Sequence, residues 1–355
     1  MFIADAHLDL AMNAMEWNRD LSQSIDNIRA RELGQTDKPD RGLGTLSFGE
    51  MRRGGVGLCV ATQIARYVAP GNPMSGWHSQ EQAWAMTQAQ LAWYRAMEER
   101  GHLRQIRDRD GLQQHLSDWQ TGHSDAPLGY VLSLEGADSL VTLSHLERAY
   151  GEGLRAVGPA HYGSGVYAQG TDATGDLGPR GRELLKEMER LGMILDVTHL
   201  CDDSLRDALD HFGGRVWASH SNCRALVPHN RQLADDHIRE LVSRGAVIGV
   251  AFSGWMLVRG WVYGESTPAQ HNLTLSSVVD HIDRICQLAG SVRHCAIGSD
   301  LDGGFGRDQC PVDVSTIADL PLLAVKLAER GYSADDVALI MHGNVVRFLG
   351  EALPG

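Results

Sequence analysis

The sequence predicts an α/β fold, a (β/α)8 barrel of the TIM type with insertions in its βα loops and a site suited to metal-dependent hydrolysis. Three observations carry this expectation. Eight short apolar runs alternate with helical patterns along the 355 residues. Such alternation favours a parallel sheet, and eight strands close a barrel. Five of the runs lead into metal-capable side chains: His7 and Asp9, Glu135, His199, His220 and Asp300. The exits of parallel barrel strands converge on one mouth, so residues far apart in the chain would share one pocket. An open doubly wound sheet also fits the alternation, but it sets most strand exits in a line.

The first run is Phe2-Ile-Ala-Asp-Ala, followed by Val56-Gly-Leu-Cys-Val-Ala-Thr, Gly129-Tyr-Val-Leu-Ser-Leu and Leu154-Arg-Ala-Val-Gly-Pro. Met193-Ile-Leu-Asp-Val, Arg215-Val-Trp-Ala-Ser, Ala246-Val-Ile-Gly-Val-Ala-Phe and His294-Cys-Ala-Ile-Gly complete the eight. Continuous apolar runs of this length read as strands buried on both faces. Between them, 79–100 is amphipathic, with Trp84, Leu91, Tyr94 and Met97 along one side. Helical patterns follow at 180–191, 202–212, 235–244 and 276–288, several opened by Asp or Ser as N-caps. Two more, at 320–330 and 334–349, come after the last strand. Residues 18–48, with Pro39, several Gly and mixed charge, and residues 162–179, rich in Gly, are irregular. In a barrel both would be insertions at the catalytic face.

No low-complexity linker divides the chain, so one catalytic barrel over residues 1–355 is expected. A hydrophobic content of 43% is enough for a large core. The net charge of −13 excludes nucleic acid and anionic membrane surfaces as expected partners, since both need a basic footprint. The six cysteines are dispersed, without a CxxC, and read as reduced thiols. Met1 leads straight into the first strand, and no apolar run has the length of a membrane span. A cytoplasmic location is expected.

Several mechanisms are excluded. The only lysines are Lys38, Lys186 and Lys326, and none stands at a strand end to form a Schiff base or a carboxylated bridge. There is no P-loop, no strand-to-helix GxGxxG and no G-x-S-x-G elbow. Metal-dependent hydrolysis survives. His7-x-Asp9 sets two ligands on one side of an extended segment. Glu135 has two carboxylate oxygens and is the natural bridge between two ions. His199 and His220 end consecutive strands and are neighbours around a barrel; imidazole nitrogens suit zinc. Asp300 stands at a strand exit, where a carboxylate can take a proton from a metal-bound hydroxide and pass it to a leaving amine. Asp302 is its rival in the same loop, placed before two glycines where it is better suited to ordering the turn. His161, ending the fourth strand, can polarise a carbonyl or stabilise an oxyanion. Taken alone, Arg231 reads as a solvated loop arginine.

The segments Asp5-Ala-His-Leu-Asp, Ser133-Leu-Glu-Gly, Asp196-Val-Thr-His, Ser219-His-Ser, Arg224-Ala-Leu with His229-Asn-Arg, and Gly298-Ser-Asp-Leu-Asp-Gly together resemble the membrane dipeptidase (renal dipeptidase) family of zinc peptidases. The match covers most of the chain. The resemblance implies a barrel with two Zn2+ per subunit that hydrolyses small dipeptides, often with a D-residue at the C-terminal position, through a metal-bridging hydroxide. By that similarity His7, Asp9 and Glu135 hold one zinc, and Glu135, His199 and His220 the other. Asp300 matches the acid/base residue, and His161 and Arg231 match the substrate-contacting pair. Arg231 would pair with the free carboxylate, to which a guanidinium donates bidentately. A homodimer is the assembly the resemblance implies. Three stretches depart from the family pattern: His161-Tyr-Gly-Ser-Gly-Val-Tyr, Ala251-Phe-Ser-Gly-Trp, and Gln-Leu-Ala after Arg231. All fall on the pocket and none on the metal shell. The alternatives are an amidohydrolase acting on another small amide, an N-acyl amino acid or a lactone, and a metal-dependent binding protein without turnover.

Overall fold

Nine parallel strands form the sheet in the computed structural model, which describes residues 1–69, 74–121 and 126–355. They are β1 (Ile3–Leu8), β2 (Val56–Ile64), β3 (Leu103–Gln105), β4 (Leu128–Glu135), β5 (Leu154–Gly158), β6 (Ile194–Asp196), β7 (Val216–Trp217), β8 (Ile248–Val250) and β9 (Cys295–Ile297). Eight of them run in the order β7-β6-β5-β4-β2-β1-β9-β8. A parallel bridge from Ala218 to Ile248 joins the two ends. There the Ala218 N–H donates to the Val247 carbonyl at 3.1 Å and the Gly249 N–H to the Ala218 carbonyl at 2.8 Å. All eight expected runs are therefore barrel strands.

The ninth strand, β3, was not expected. It pairs only with the lower half of β4, Leu103 with Leu128 through Gln105 with Tyr130, while β5 pairs with the upper half from Leu132 to Glu135. Three residues with one apolar member carry too little pattern to register as a strand.

Side chains alternate between two cores. Ala4, Ala6, Leu58, Val60, Val131, Ala156, Ile194, Trp217 and Ala296 share the barrel interior with Val345, Phe348 and Leu349 of the last helix, Asn344–Ala352. The Trp217 and Phe348 rings stack at 5.2 Å. The Asn344 amide donates to the Cys295 carbonyl, at the start of β9, at 2.8 Å. The last helix thus closes the N-terminal end of the barrel, and the C-terminal end is left for chemistry. The pattern expected as one helix over 334–349 is instead interrupted by a wide turn, Leu339–Gly343, at the point where this element packs on β1 and β9.

The other expected helices are present within two residues at each end. Ser79 caps Gln80–Glu99 by accepting from the Gln82 N–H, and Gly192, at φ 69°, ends Gly178–Leu191 in a left-handed turn that glycine adopts without strain. Among the described residues, six further α-helices lay outside the expectation: Leu10–Met15, Ile25–Arg31, Phe48–Gly54, Arg109–Gln120, Leu143–Glu152 and Gly254–Leu257.

The insertion at 18–48 is not loose. The buried Arg19 guanidinium donates to Glu32 at 2.8 Å and to Asp40 at 2.9 Å. Asp302 ties the insertion to the exit of β9, accepting from the Thr45 N–H and hydroxyl, each at 2.7 Å, and from the Leu46 N–H at 3.0 Å. The structure therefore gives Asp302 an anchoring role, with both oxygens occupied away from the barrel mouth.

Candidate metal centre

Two aspartates within the strands shape the barrel mouth. Asp5 Oδ1 accepts from the His7 N–H at 3.1 Å and from the Ser299 N–H at 2.9 Å. Asp196 Oδ1 accepts from the Thr198 N–H at 3.0 Å and from the Ser219 N–H at 3.1 Å. Each carboxylate ties the bend that follows it to a serine just past the exit of a neighbouring strand. A carboxylate fully buried at this depth is affordable only because backbone donors meet it. Neither aspartate was singled out by sequence, although an Asp inside an apolar run is the available signal. At the same level Gly249 and Gly298 approach the Ser219 carbonyl so closely that a Cβ on either would lie within 2 Å of it.

The three imidazoles all present Nε2 inward. His199 Nε2 lies 3.1 Å and His220 Nε2 3.3 Å from Glu135 Oε1. His7 Nε2 lies 3.6 Å from Glu135 Oε2 and 3.6 Å from Asp9 Oδ1. The two oxygens of Glu135 therefore face separate ligand sets. Behind the rings, Nδ1 of His199 meets the Thr171 hydroxyl at 3.2 Å and Nδ1 of His220 the Ser219 hydroxyl at 2.9 Å. Such outer partners orient metal-binding imidazoles. Asp9 is held from β2 by the Thr62 hydroxyl.

These residues are placed to hold metal. His7 Nε2 is buried with no hydrogen-bond partner, and His199 Nε2 and His220 Nε2 face one another at 3.2 Å. Two ligands bound to one ion at about 2.0–2.1 Å in tetrahedral array stand about 3.3 Å apart, close to the spacings here. The sets His7–Asp9–Glu135 and Glu135–His199–His220 each converge tightly enough to hold an ion. Imidazole and carboxylate donors without thiolate suit divalent transition-metal ions, zinc among them.

Burial drives the electrostatics. It raises the carboxyl pKa of Glu135, and the neighbouring Asp9 and Asp300 raise it further while His7 opposes. Asp300 is raised for the same first reason, with Asp9 adding and His7 and Arg231 opposing. For His7 burial pulls downward, but Glu135, Asp9 and Asp300 together outweigh it and push the imidazole up to about 10. Burial, reinforced by Arg231, lowers His199 and His220. The metal-free cluster of His7 and its carboxylates thus favours holding a proton that a cation must displace. A ligand that loses a proton on binding makes affinity rise with pH below its pKa. We expect apparent metal affinity to increase steadily from pH 6 to 9, with at least one proton released per chain. Calorimetry in buffers of different ionisation enthalpy measures that number, and a pH-independent affinity would contradict the assignment of His7.

Asp300 places Oδ1 3.7 Å from His7 Nε2. Its backbone is left-handed at φ 57°, as is that of His199 at φ 69°. This conformation costs energy in any residue with a Cβ, and strain of this kind concentrates at functional sites. Gly303 is pressed against the Asp300 carboxylate, since an added Cβ would fall 1.9 Å from Oδ1. His161 puts Nε2 3.8 Å from Glu135 Oε1. Arg231 is buried, not solvated as its loop context implied. It donates through Nη2 to the His220 carbonyl at 2.8 Å and through Nη1 to the Ser221 hydroxyl at 3.3 Å, and its Nε has no partner.

The structure thus brings together every residue singled out for the site: His7, Asp9, Glu135, His161, His199, His220, Arg231 and Asp300. Except for His7, which lies behind the wall, all line one cavity of about 310 Å3, walled further by Tyr162, Trp255, Met256, Tyr263 and Phe305. Those five were not assigned from sequence. Tyr162 and Trp255 fall in the stretches that depart from the family pattern; Tyr263 lies in a polar loop with no periodicity.

A family model described as membrane dipeptidase (peptidase family M19) matches residues 1–353. Among curated proteins the chain is similar to the uncharacterized dipeptidase C3A11.10c of Schizosaccharomyces pombe, 32% identical over 222 residues that cover 61% of this chain and 51% of that protein. It is also similar to dipeptidase tcpJ of Claviceps purpurea, 32% identical over 231 residues covering 63% and 51%. The matched region thus spans about half the length of these relatives. Among solved structures, a dipeptidase AC described as a metallopeptidase superposes with TM-score 0.79 at 21% identity, covering 100% of this chain and 99% of that one. A metallopeptidase from Rhodobacter sphaeroides, liganded with a phosphinate mimic of the dipeptide L-Ala-D-Ala, gives 0.77 at 20% identity with 99% of both chains covered. These superpositions show the same barrel fold, and the match over 1–353 shows that the chain belongs to the membrane dipeptidase family.

Proposed function

We propose that this protein is a binuclear zinc dipeptidase that cleaves the peptide bond of small dipeptides, including those with a C-terminal D-residue. The observation that carries this reading is Glu135, with one oxygen facing His7 and Asp9 and the other facing His199 and His220. A zinc pair, when bound, supplies Lewis acidity toward the carbonyl and lowers the pKa of water. Asp300 stands beside the cluster with a raised pKa, suited to taking a proton from the attacking water and returning it to the leaving nitrogen. His161 Nε2 steadies the carbonyl oxygen as it gains charge. Arg231, which lines the cavity wall, receives the free C-terminal carboxylate, and a cavity of about 310 Å3 suits a two-residue substrate.

The test is a panel of L,L- and L,D-dipeptides beside N-acyl amino acids and lactones, assayed on protein of measured metal content. Dipeptides should be the best substrates; a preference for acyl amino acids or lactones would move the protein to a different amidohydrolase activity. Arg231→Ala should raise KM for free dipeptides by about 10-fold or more, the scale of a lost charge-assisted contact, and leave C-terminal amides unchanged. Equal losses on both would remove Arg231 from carboxylate recognition. A cytoplasmic location and a homodimer belong to the same proposal. Six cysteines without a disulfide support the first, and a molar-mass measurement of the loaded protein by light scattering tests the second.

A further inference from the structure

His161 differs from the three metal-facing histidines in what stands behind its ring. Nδ1 of His199 meets the Thr171 hydroxyl, and Nδ1 of His220 and Nδ1 of His7 both meet the Ser219 hydroxyl. A hydroxyl can accept the Nδ1 proton, which leaves Nε2 as a lone pair for a cation. Nδ1 of His161 instead meets the Arg66 guanidinium through Nη2. A guanidinium has donors and no acceptor, so Nδ1 must be the lone pair. An imidazolium is excluded on the same ground, because it would set donor against donor. The ring proton therefore sits on Nε2, the atom turned toward the cluster.

Arg66 is built into this position. It lies two residues beyond β2, where a parallel bridge between Tyr67 and Trp77 clamps the chain. The Trp77 N–H donates to the Arg66 carbonyl at 2.8 Å, and Arg66 Nη1 donates to the Ser75 carbonyl at 3.3 Å. Asp138, Glu135 and Glu16 are the acidic groups that offset its charge. The side chain lines a second cavity, adjoining the first at Asp9, His161, Gly303 and Gly304, so it reaches His161 from outside the metal shell.

We propose that Arg66 is a positioning residue that locks His161 as the Nε2–H tautomer, making it a hydrogen-bond donor to the substrate's carbonyl oxygen and barring it from the metal shell. The donor's task rests on the dipeptidase reading; the tautomer does not. The division among four clustered histidines then follows from their backing groups, hydroxyl for a ligand and guanidinium for a donor.

The test is long-range 1H–15N NMR of histidine-labelled protein, metal-free and zinc-loaded, with the His161 signals assigned by their loss in His161→Gln. Wild type should show a proton on Nε2 and an unprotonated Nδ1 in both states, and Arg66→Ala should give a mixture or the opposite tautomer. On the best dipeptide, Arg66→Ala should lower kcat about 10-fold or more with KM within about threefold. Arg66→Lys, which restores a donor, should recover most of that loss, and Arg66→Ala should add nothing in a His161→Gln background, as for two residues acting through one group. Should Arg66→Ala fail to fold, Arg66→Met keeps the stem, removes the donors and serves the same comparison. A proton on Nδ1 in wild type, or a tautomer and kcat indifferent to Arg66, would overturn the proposal. Absence of dipeptide turnover in wild type, with the tautomer as expected, would sink the activity reading alone.

Discussion

Glu135→Ala is expected to strip both proposed cation positions at once and to lower dipeptide turnover on the order of 10⁴-fold or more, because neither Lewis acidity nor an acidified water would survive without the ions. The expectation follows from the two faces of one carboxylate: Oε1 is shared by His199 and His220, and Oε2 lies with His7. Replacing a ligand that serves one ion only, such as His220, should leave the other position partly filled. Metal content by mass spectrometry, read together with circular dichroism to show an intact barrel, checks this. Retention of two ions in Glu135→Ala would mean that another group bridges them.

Asp300→Asn should behave differently: full metal content, with kcat reduced about 10²–10⁴-fold, the range for loss of a general acid–base. Asparagine keeps the shape of the side chain and removes the proton-carrying function. The backbone at this position is left-handed, and asparagine tolerates that conformation better than most residues, so the exchange leaves the loop in place. Asp302→Asn is the informative contrast. Its carboxylate is consumed by Thr45, Leu46 and Arg19, so its loss should appear as lower thermal stability. A kcat defect confined to Asp302→Asn would reverse the two roles.

The barrel was legible in the sequence because its strands are covered on both faces, which writes them as continuous apolar runs such as Val56 to Thr62. The metal-facing residues were legible because each follows such a run directly, where topology alone sends it to the common mouth. Arg231 was legible only through the family resemblance, since nothing in its neighbouring residues reveals that the loop after β7 folds back and buries the guanidinium against the His220 carbonyl. Arg66 left no trace: it belongs to the site only through a contact with His161, 95 positions away. Helix Arg109–Gln120 was missed because its residues are mostly polar, with only Leu112 and His115 buried, leaving no apolar stripe to read. Leu10–Met15 was hidden by running straight on from β1, so that its apolar residues merge with those of the strand.

The central claim is that one carboxylate joins two cations, and diffraction at the zinc absorption edge from crystals of zinc-loaded protein tests it most directly. Two anomalous peaks about 3.5–4 Å apart are expected, one between His7 and Asp9 and the other between His199 and His220, with one oxygen of Glu135 against each. A single peak, or two peaks with Glu135 bound to neither or to only one, would contradict it.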